Sequence, residues 1–181
     1  MLASRSPQRR AILQRLGVPF TVRAPDVAEL ERGDAVELVH SNALAKARAA
    51  RRDGAAEALL GCDTLVSVGA QTYGKPADAR AARVMLEALS GRTHAVISAV
   101  AVLLDSEERI AHARTAVRFR DLDEQLLGWY LARGEWRERA GAYAIQGAGA
   151  ALVREVAGDY ENVVGLPLAA LLDIYPELLS G

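Results

Sequence analysis

A run of apolar and β-branched residues at positions 59–68, with glycines at 61 and 69, most constrains the fold. This pattern predicts a buried strand. Asp63 interrupts the run, and a carboxylate inside an apolar strand is costly unless a cation or hydrogen-bond donors meet it. Lys75 would come within reach if the chain doubles back at Gly69, and a metal ion would serve equally well. The alternative is a structural aspartate held by backbone donors or an internal salt bridge.

Composition narrows the class of protein. The chain has 181 residues, 51% of them hydrophobic and 25% charged, with a net charge of −1. We expect a single domain over residues 1–181, with two lobes and no stable complex with nucleic acid, which would need a broad basic surface. Cys62 is the only cysteine, so an internal disulfide is excluded and a reducing compartment is favoured. With no membrane-length apolar run and no signal-peptide pattern, we expect a cytoplasmic protein.

Helical and strand patterns alternate along the chain, which predicts an α/β fold. We expect a mixed twisted sheet with flanking helices, and two lobes around a central cleft. The predicted strands lie at 18–23, 59–68, 93–104, 109–120 and 152–156. The predicted helices begin near 7 and cover 34–52, 77–89, 122–133 and 167–179.

The first predicted helix carries two arginines at its positive end. Ser6 is placed as the N-cap and Pro7 as the first helical residue, so Arg9 and Arg10 fall in the first turn. The helix dipole disfavours cations there, whereas a bound anion would reverse the sign. The pattern therefore indicates a phosphate site, with a solvated arginine pair as the alternative.

Lys46 falls on or beside the apolar stripe of the helix predicted at 34–52. It either extends its stem along that stripe towards water or points into a cleft. The sequence contains no GxSxG or GxxxxGK[ST] motif, and its three histidines lack metal-ligand spacing. What remains is a set of cations and acids suited to metal-assisted attack on a phosphate ester or anhydride. They are Arg9, Arg10, Lys46, Lys75, Glu29 and Asp63.

Four segments, in this order along the chain, resemble the Maf family of nucleoside triphosphate pyrophosphatases, which are related in fold to the inosine triphosphatases. They are LASRSPQRR at 2–10, GCDT at 61–64 with GKP at 74–76, LSGRTH at 89–94, and AGAYAIQG at 140–147 with VGLPL at 164–168.

This resemblance implies hydrolysis of a nucleoside triphosphate to the monophosphate and diphosphate, with a divalent cation such as Mg²⁺ or Mn²⁺. Asp63 would be the proton acceptor that prepares the water, or would act through the metal together with Glu29. The residues implied to hold the triphosphate are Ser6, Arg9, Lys46 and Lys75. The resemblance also suggests a homodimer.

Within the family, Thr64 and Gln146 resemble the branch that acts on dTTP and UTP, where they would contact the base. Gln8 departs from that branch, which has arginine at this position, and Arg10 could replace the missing group. A modified nucleotide is therefore an alternative substrate. Two other hypotheses are a nucleotide-binding regulator of cell division without turnover, and a nucleic-acid-binding module that uses the arginine-rich start.

Overall fold

The computed structural model describes residues 1–52, 58–105 and 107–179, and in them helices and strands alternate. The helices are α1 (Pro7–Arg15), α2 (Ala35–Ala50), α3 (Ala79–Leu89), α4 (Glu124–Ala132), α5 (Tyr160–Val164) and α6 (Leu168–Ile174), and the 3₁₀ turns are Ala140–Ala142, Gly147–Leu152 and Pro176–Leu179. The strands are β1 (Leu59–Val68), β2 (Gln71–Tyr73), β3 (Thr93–Leu104), β4 (Glu107–Phe119) and β5 (Val153–Ala157).

The five strands form one sheet in the order β2-β1-β3-β4-β5. β1 pairs antiparallel with β2, with Val66 opposite Tyr73, and β4 pairs antiparallel with β5. Leu2 adds isolated parallel bridges to Val22 and Leu60. The α/β class and the presence of both strand directions confirm the prediction.

The chain divides into two compact units. The first contains Met1–Asp63, Ser98–Ala113 and Gly165–Gly181, and the second contains Thr64–Ile97 and Arg114–Val164. The boundary within β1 therefore falls directly after Asp63, and β3 and β4 also contribute residues to both units.

Local signals explain most element ends. Ser6 caps α1, because its side chain accepts a hydrogen bond from the backbone N–H of Arg9 at 3.4 Å, and Pro7 is the first helical residue. Asp34 caps α2 by accepting from Val36 and Glu37. β1 and β3 have the predicted bounds because both are continuous apolar runs buried along nearly their whole length.

Two predicted elements were wrong in extent. Only Val22 of the strand predicted at 18–23 makes a bridge. The closing helix predicted at 167–179 breaks at Tyr175, because a residue before proline disfavours helical geometry and Pro176 follows. Among the described residues, no helix is long and apolar enough to cross a membrane.

The core of the second unit contains a polar residue within an aromatic cluster. His94 is 2% exposed, and its ring lies edge-on to Phe119 and Tyr143 at centroid distances of 4.8 and 5.4 Å. Its Nε2 shares a 2.9 Å hydrogen bond with the Tyr143 hydroxyl, whereas Nδ1 has no partner. Burial lowers the pKa of His94 to about 4, so the ring is neutral at pH 7.

This burial predicts a pH-dependent stability. In the unfolded chain His94 binds a proton below about pH 6.5, whereas the folded chain resists protonation down to about pH 4. Acid therefore favours the unfolded state. The stability that the buried neutral His94 contributes is fully present above pH 6.5 and is lost as the pH falls towards 4. We expect the free energy of unfolding in urea to fall by about 2 kcal/mol from this group between pH 7.5 and 5.

The variant His94→Gln keeps a hydrogen-bonding group without titrating, so it should flatten that dependence. His112→Gln, which removes an exposed histidine, should leave it in place. Equal pH dependence in wild type and His94→Gln would show that His94 is not the responsible group.

Candidate active site

The position of Asp63 follows from how closely α2 packs against β1. Gly61 has no side chain, and a Cβ there would lie 2.1 Å from the carbonyl oxygen of Ala43 and 2.9 Å from Cβ of Ala47. Only glycine at 61 and small residues at 43 and 47 permit this approach. Residues i and i+2 of a strand share one face, so Asp63 also faces α2.

Asp63 meets a cation and an amide from that helix. It is 7% exposed, and its Oδ1 lies 2.7 Å from Nζ of Lys46. Its Oδ2 accepts a hydrogen bond from Nδ2 of Asn42 at 3.1 Å. Asn42 and Lys46 are four residues apart, so both project from the same side of α2. The burial cost of the carboxylate is thus offset by charge pairing and by hydrogen bonding.

Lys46 contacts a second carboxylate. Its Nζ lies 2.7 Å from Oε1 of Glu29 as well, and its side chain is 14% exposed. The ammonium therefore bridges two acids, which explains why a lysine is retained beside an apolar stripe. A stem extended only to reach water therefore does not describe Lys46, and its predicted role in a cleft stays a prediction.

These two carboxylates also fit a divalent cation. Glu29 and Asp63 converge on one point, and carboxylate oxygens are the ligands that Mg²⁺ and Mn²⁺ prefer. Among the described residues, no group of three or more acidic, histidine or cysteine side chains could hold a metal. The donor set thus suits a metal that takes further oxygen ligands from a bound phosphate.

Arg9 of α1 contacts the backbone of β1, the strand that carries Asp63. Its guanidinium donates to the carbonyl oxygen of Cys62 at 3.0 Å, to Oγ of Ser4 at 2.9 Å and to the carbonyl oxygen of Gly165 at 2.7 Å. It is 8% exposed, so the predicted solvated arginine pair is wrong for Arg9, whereas Arg10 is exposed. Arg9 thus joins α1 to the residue before Asp63.

The remaining predicted residues of α1 serve its first turn. The Ser6 hydroxyl donates to Oε1 of Gln8 at 3.2 Å, besides capping the helix. Both side chains are half-buried. These contacts place Ser6 and Gln8 at the helix N-terminus, where backbone N–H groups can receive an anion.

Three predicted site residues belong to the second unit. Lys75 is exposed and pairs with Glu138 at 2.9 Å, Thr64 directly follows Asp63 in β1, and Gln146 is exposed after the 3₁₀ turn at 140–142. Lys75 was a predicted cation partner of Asp63, whereas in the structure the lysine that pairs with Asp63 is Lys46.

The surroundings of Cys62 and of the histidines indicate structural and not catalytic roles. Cys62 is fully buried, and burial raises the pKa of its thiol. His40 and His112 share a 3.0 Å contact between ring nitrogens. Burial and the neighbouring His112 lower the pKa of His40.

An apolar cavity of about 520 Å³ also lies within the first unit. Leu2, Leu13, Phe20, Leu60 and Tyr175 are among its lining residues, and none of the predicted site residues is. The charged side chain in its lining, Glu177, is acidic, so this cavity does not suit an anionic substrate.

Sequence reasoning missed two residues of this site. The pattern at 59–68 assigns no function to Gly61, although the absence of a side chain there admits α2. Asn42 is absent from the predicted set. The available signal was a polar residue four positions before Lys46, on the face that also carries Ala43 and Ala47.

A carboxylate held by lysine, near a buried arginine and a helix N-terminus, is the kind of site used by enzymes of phosphate chemistry. Comparison with known families agrees. The family model described as Maf-like protein matches residues 1–178, so the chain belongs to the Maf family.

Several relatives support this assignment, each named dTTP/UTP pyrophosphatase. The protein from Symbiobacterium thermophilum is 46% identical over 170 residues, which covers 93% of this chain and 88% of that protein. Those from Alcanivorax borkumensis and Moorella thermoacetica are 45% and 46% identical, over 96% of this chain and 92% of each relative.

Proposed function

We propose that this protein is a nucleoside triphosphate pyrophosphatase that hydrolyses dTTP and UTP to the monophosphate and diphosphate. The observation that carries the proposal is the buried carboxylate of Asp63, placed between Lys46 and Asn42. The relatives' names supply the substrate class.

In this proposal Asp63 accepts the proton of the attacking water. A carboxylate fixed in orientation can act as a general base, and its contacts with Lys46 and Asn42 fix the orientation of Asp63. A divalent cation held by Glu29 and Asp63 would neutralise phosphate charge and lower the pKa of a bound water.

The triphosphate is assigned to Ser6, Arg9, Lys46 and Lys75. Lys46 can exchange one of its two carboxylate partners for a phosphate oxygen, because both contacts are made by one flexible ammonium group. Ser6 would present the N-terminus of α1, and Arg9 would add positive charge there.

Base selection is assigned to Gln8, Thr64 and Gln146. A site built to hydrogen-bond a base edge discriminates strongly, because a mismatched base leaves buried polar groups unpaired. The side-chain oxygen of Gln8 accepts a hydrogen bond from the Ser6 hydroxyl. The groups for base selection and for anion binding would therefore be in contact at the start of α1.

A nucleotide panel tests the proposal. With Mg²⁺ or Mn²⁺ present, we expect dTTP and UTP to release diphosphate at least about tenfold faster, by kcat/KM, than CTP, ATP, GTP or ITP. A preference for a modified or purine nucleotide would contradict the substrate assignment. Binding without any product under either metal would contradict the reaction.

A further inference from the structure

Asn42 makes three hydrogen bonds with its side-chain amide. It is 5% exposed, and its Oδ1 accepts from the backbone N–H of Leu30 at 2.8 Å. Its Nδ2 donates to the carbonyl oxygen of Leu30 at 3.0 Å and to Oδ2 of Asp63 at 3.1 Å. Both amide hydrogens and the amide oxygen thus have partners.

These partners fix the orientation of the amide. A flipped Asn42 would direct its N–H groups at the Leu30 N–H, and would direct its oxygen at both the Leu30 carbonyl and the Asp63 carboxylate. Each contact would then be repulsive, so only the observed orientation satisfies all three neighbours.

The same contacts close a ring of residues. Leu30 directly follows Glu29, which pairs with Lys46, and Lys46 pairs with Asp63. Asn42 joins Asp63 back to Leu30. Its two bonds to Leu30 thereby fix the position of the loop that carries Glu29 relative to the strand that carries Asp63.

We infer that Asn42 is a positioning residue for the reaction: it fixes the Asp63 carboxylate through Oδ2 and holds the Glu29 loop beside it, leaving Oδ1 to Lys46. This inference rests on the proposed function. It adds a residue that does not contact substrate and that acts through the proton acceptor.

Two variants separate positioning from a purely structural role. Asn42→Leu keeps the branched shape and the number of side-chain heavy atoms, and removes all three bonds. Asn42→Asp keeps an acceptor for the Leu30 N–H but places a second carboxylate against Asp63. That carboxylate repels Asp63 and cannot replace the N–H donor to its Oδ2.

We expect both variants to lower kcat for dTTP by about ten- to a hundredfold, with KM changed less than about threefold, because the loss is in the proton-transfer step. Ser41→Asp adds the same charge at an exposed neighbouring position of α2 and should leave kcat and KM unchanged.

A structural role gives a different result. Melting temperature would then fall in both variants, while kcat per folded molecule stayed within about twofold of wild type. That result would overturn the inference and leave the proposed function intact. Absence of diphosphate release by the wild type would overturn both.

Discussion

Replacement of Asp63 by asparagine is expected to lower kcat for diphosphate release from dTTP by about a thousandfold. The amide nearly preserves the volume and can still bond Lys46 or Asn42, but it cannot accept a proton from water. General-base catalysis typically contributes about 10²–10⁴ in rate. The measurement is initial-rate kinetics over pH 6–9.

Binding should survive this change, because the assigned triphosphate contacts come from other residues. We therefore expect dTTP to raise the melting temperature of both the wild type and Asp63→Asn. Asp173→Asn is the matched control, since Asp173 is exposed on α6 and should tolerate the substitution without loss of rate. Activity of Asp63→Asn within tenfold of wild type would contradict the proton-acceptor role.

Gly61→Ala is expected to cost about 3 kcal/mol in the free energy of unfolding. The added methyl would lie 2.1 Å from the Ala43 carbonyl oxygen and 2.8 Å from the Ala47 backbone nitrogen. These are backbone atoms of α2, so the helix must move away, and overpacking of this kind typically costs 1–3 kcal/mol or more. Because α2 carries Lys46 and Asn42, the folded fraction should also lose activity.

Urea unfolding monitored by circular dichroism gives this number. Gly128→Ala is the matched control, because it makes the same change on α4 with no atom within 4 Å of the new Cβ. That control should be neutral or slightly stabilising, since alanine favours helices over glycine by up to about 1 kcal/mol. A Gly61→Ala protein as stable as wild type would show that α2 does not depend on this close approach.

The reliability of the sequence predictions differed between local and tertiary features. The bounds of β1 and β3 and the caps Ser6 and Asp34 follow from adjacent residues, which explains why they were predicted. The strand expected at 18–23 depended on a partner that only Val22 found.

The same distinction applies to the site. Asp63 and Lys46 stood out because each places charge on an apolar pattern. Asn42 did not, because its role depends on the backbone of Leu30, whose position no local pattern predicts. The roles given to all the site residues stay predictions, and so does the predicted homodimer. These residues are Asp63, Lys46, Ser6, Gln8, Arg9, Glu29, Thr64, Lys75 and Gln146.

Product analysis of dTTP turnover tests the central claim most directly. Separation of the products by ion-exchange chromatography, with ³¹P NMR of the mixture, identifies which anhydride bond is broken. The proposed reaction predicts dTMP and diphosphate in equal amounts, both formed about a thousandfold more slowly by the Asp63→Asn protein. Formation of dTDP and orthophosphate, or equal turnover by the Asp63→Asn protein, would contradict it.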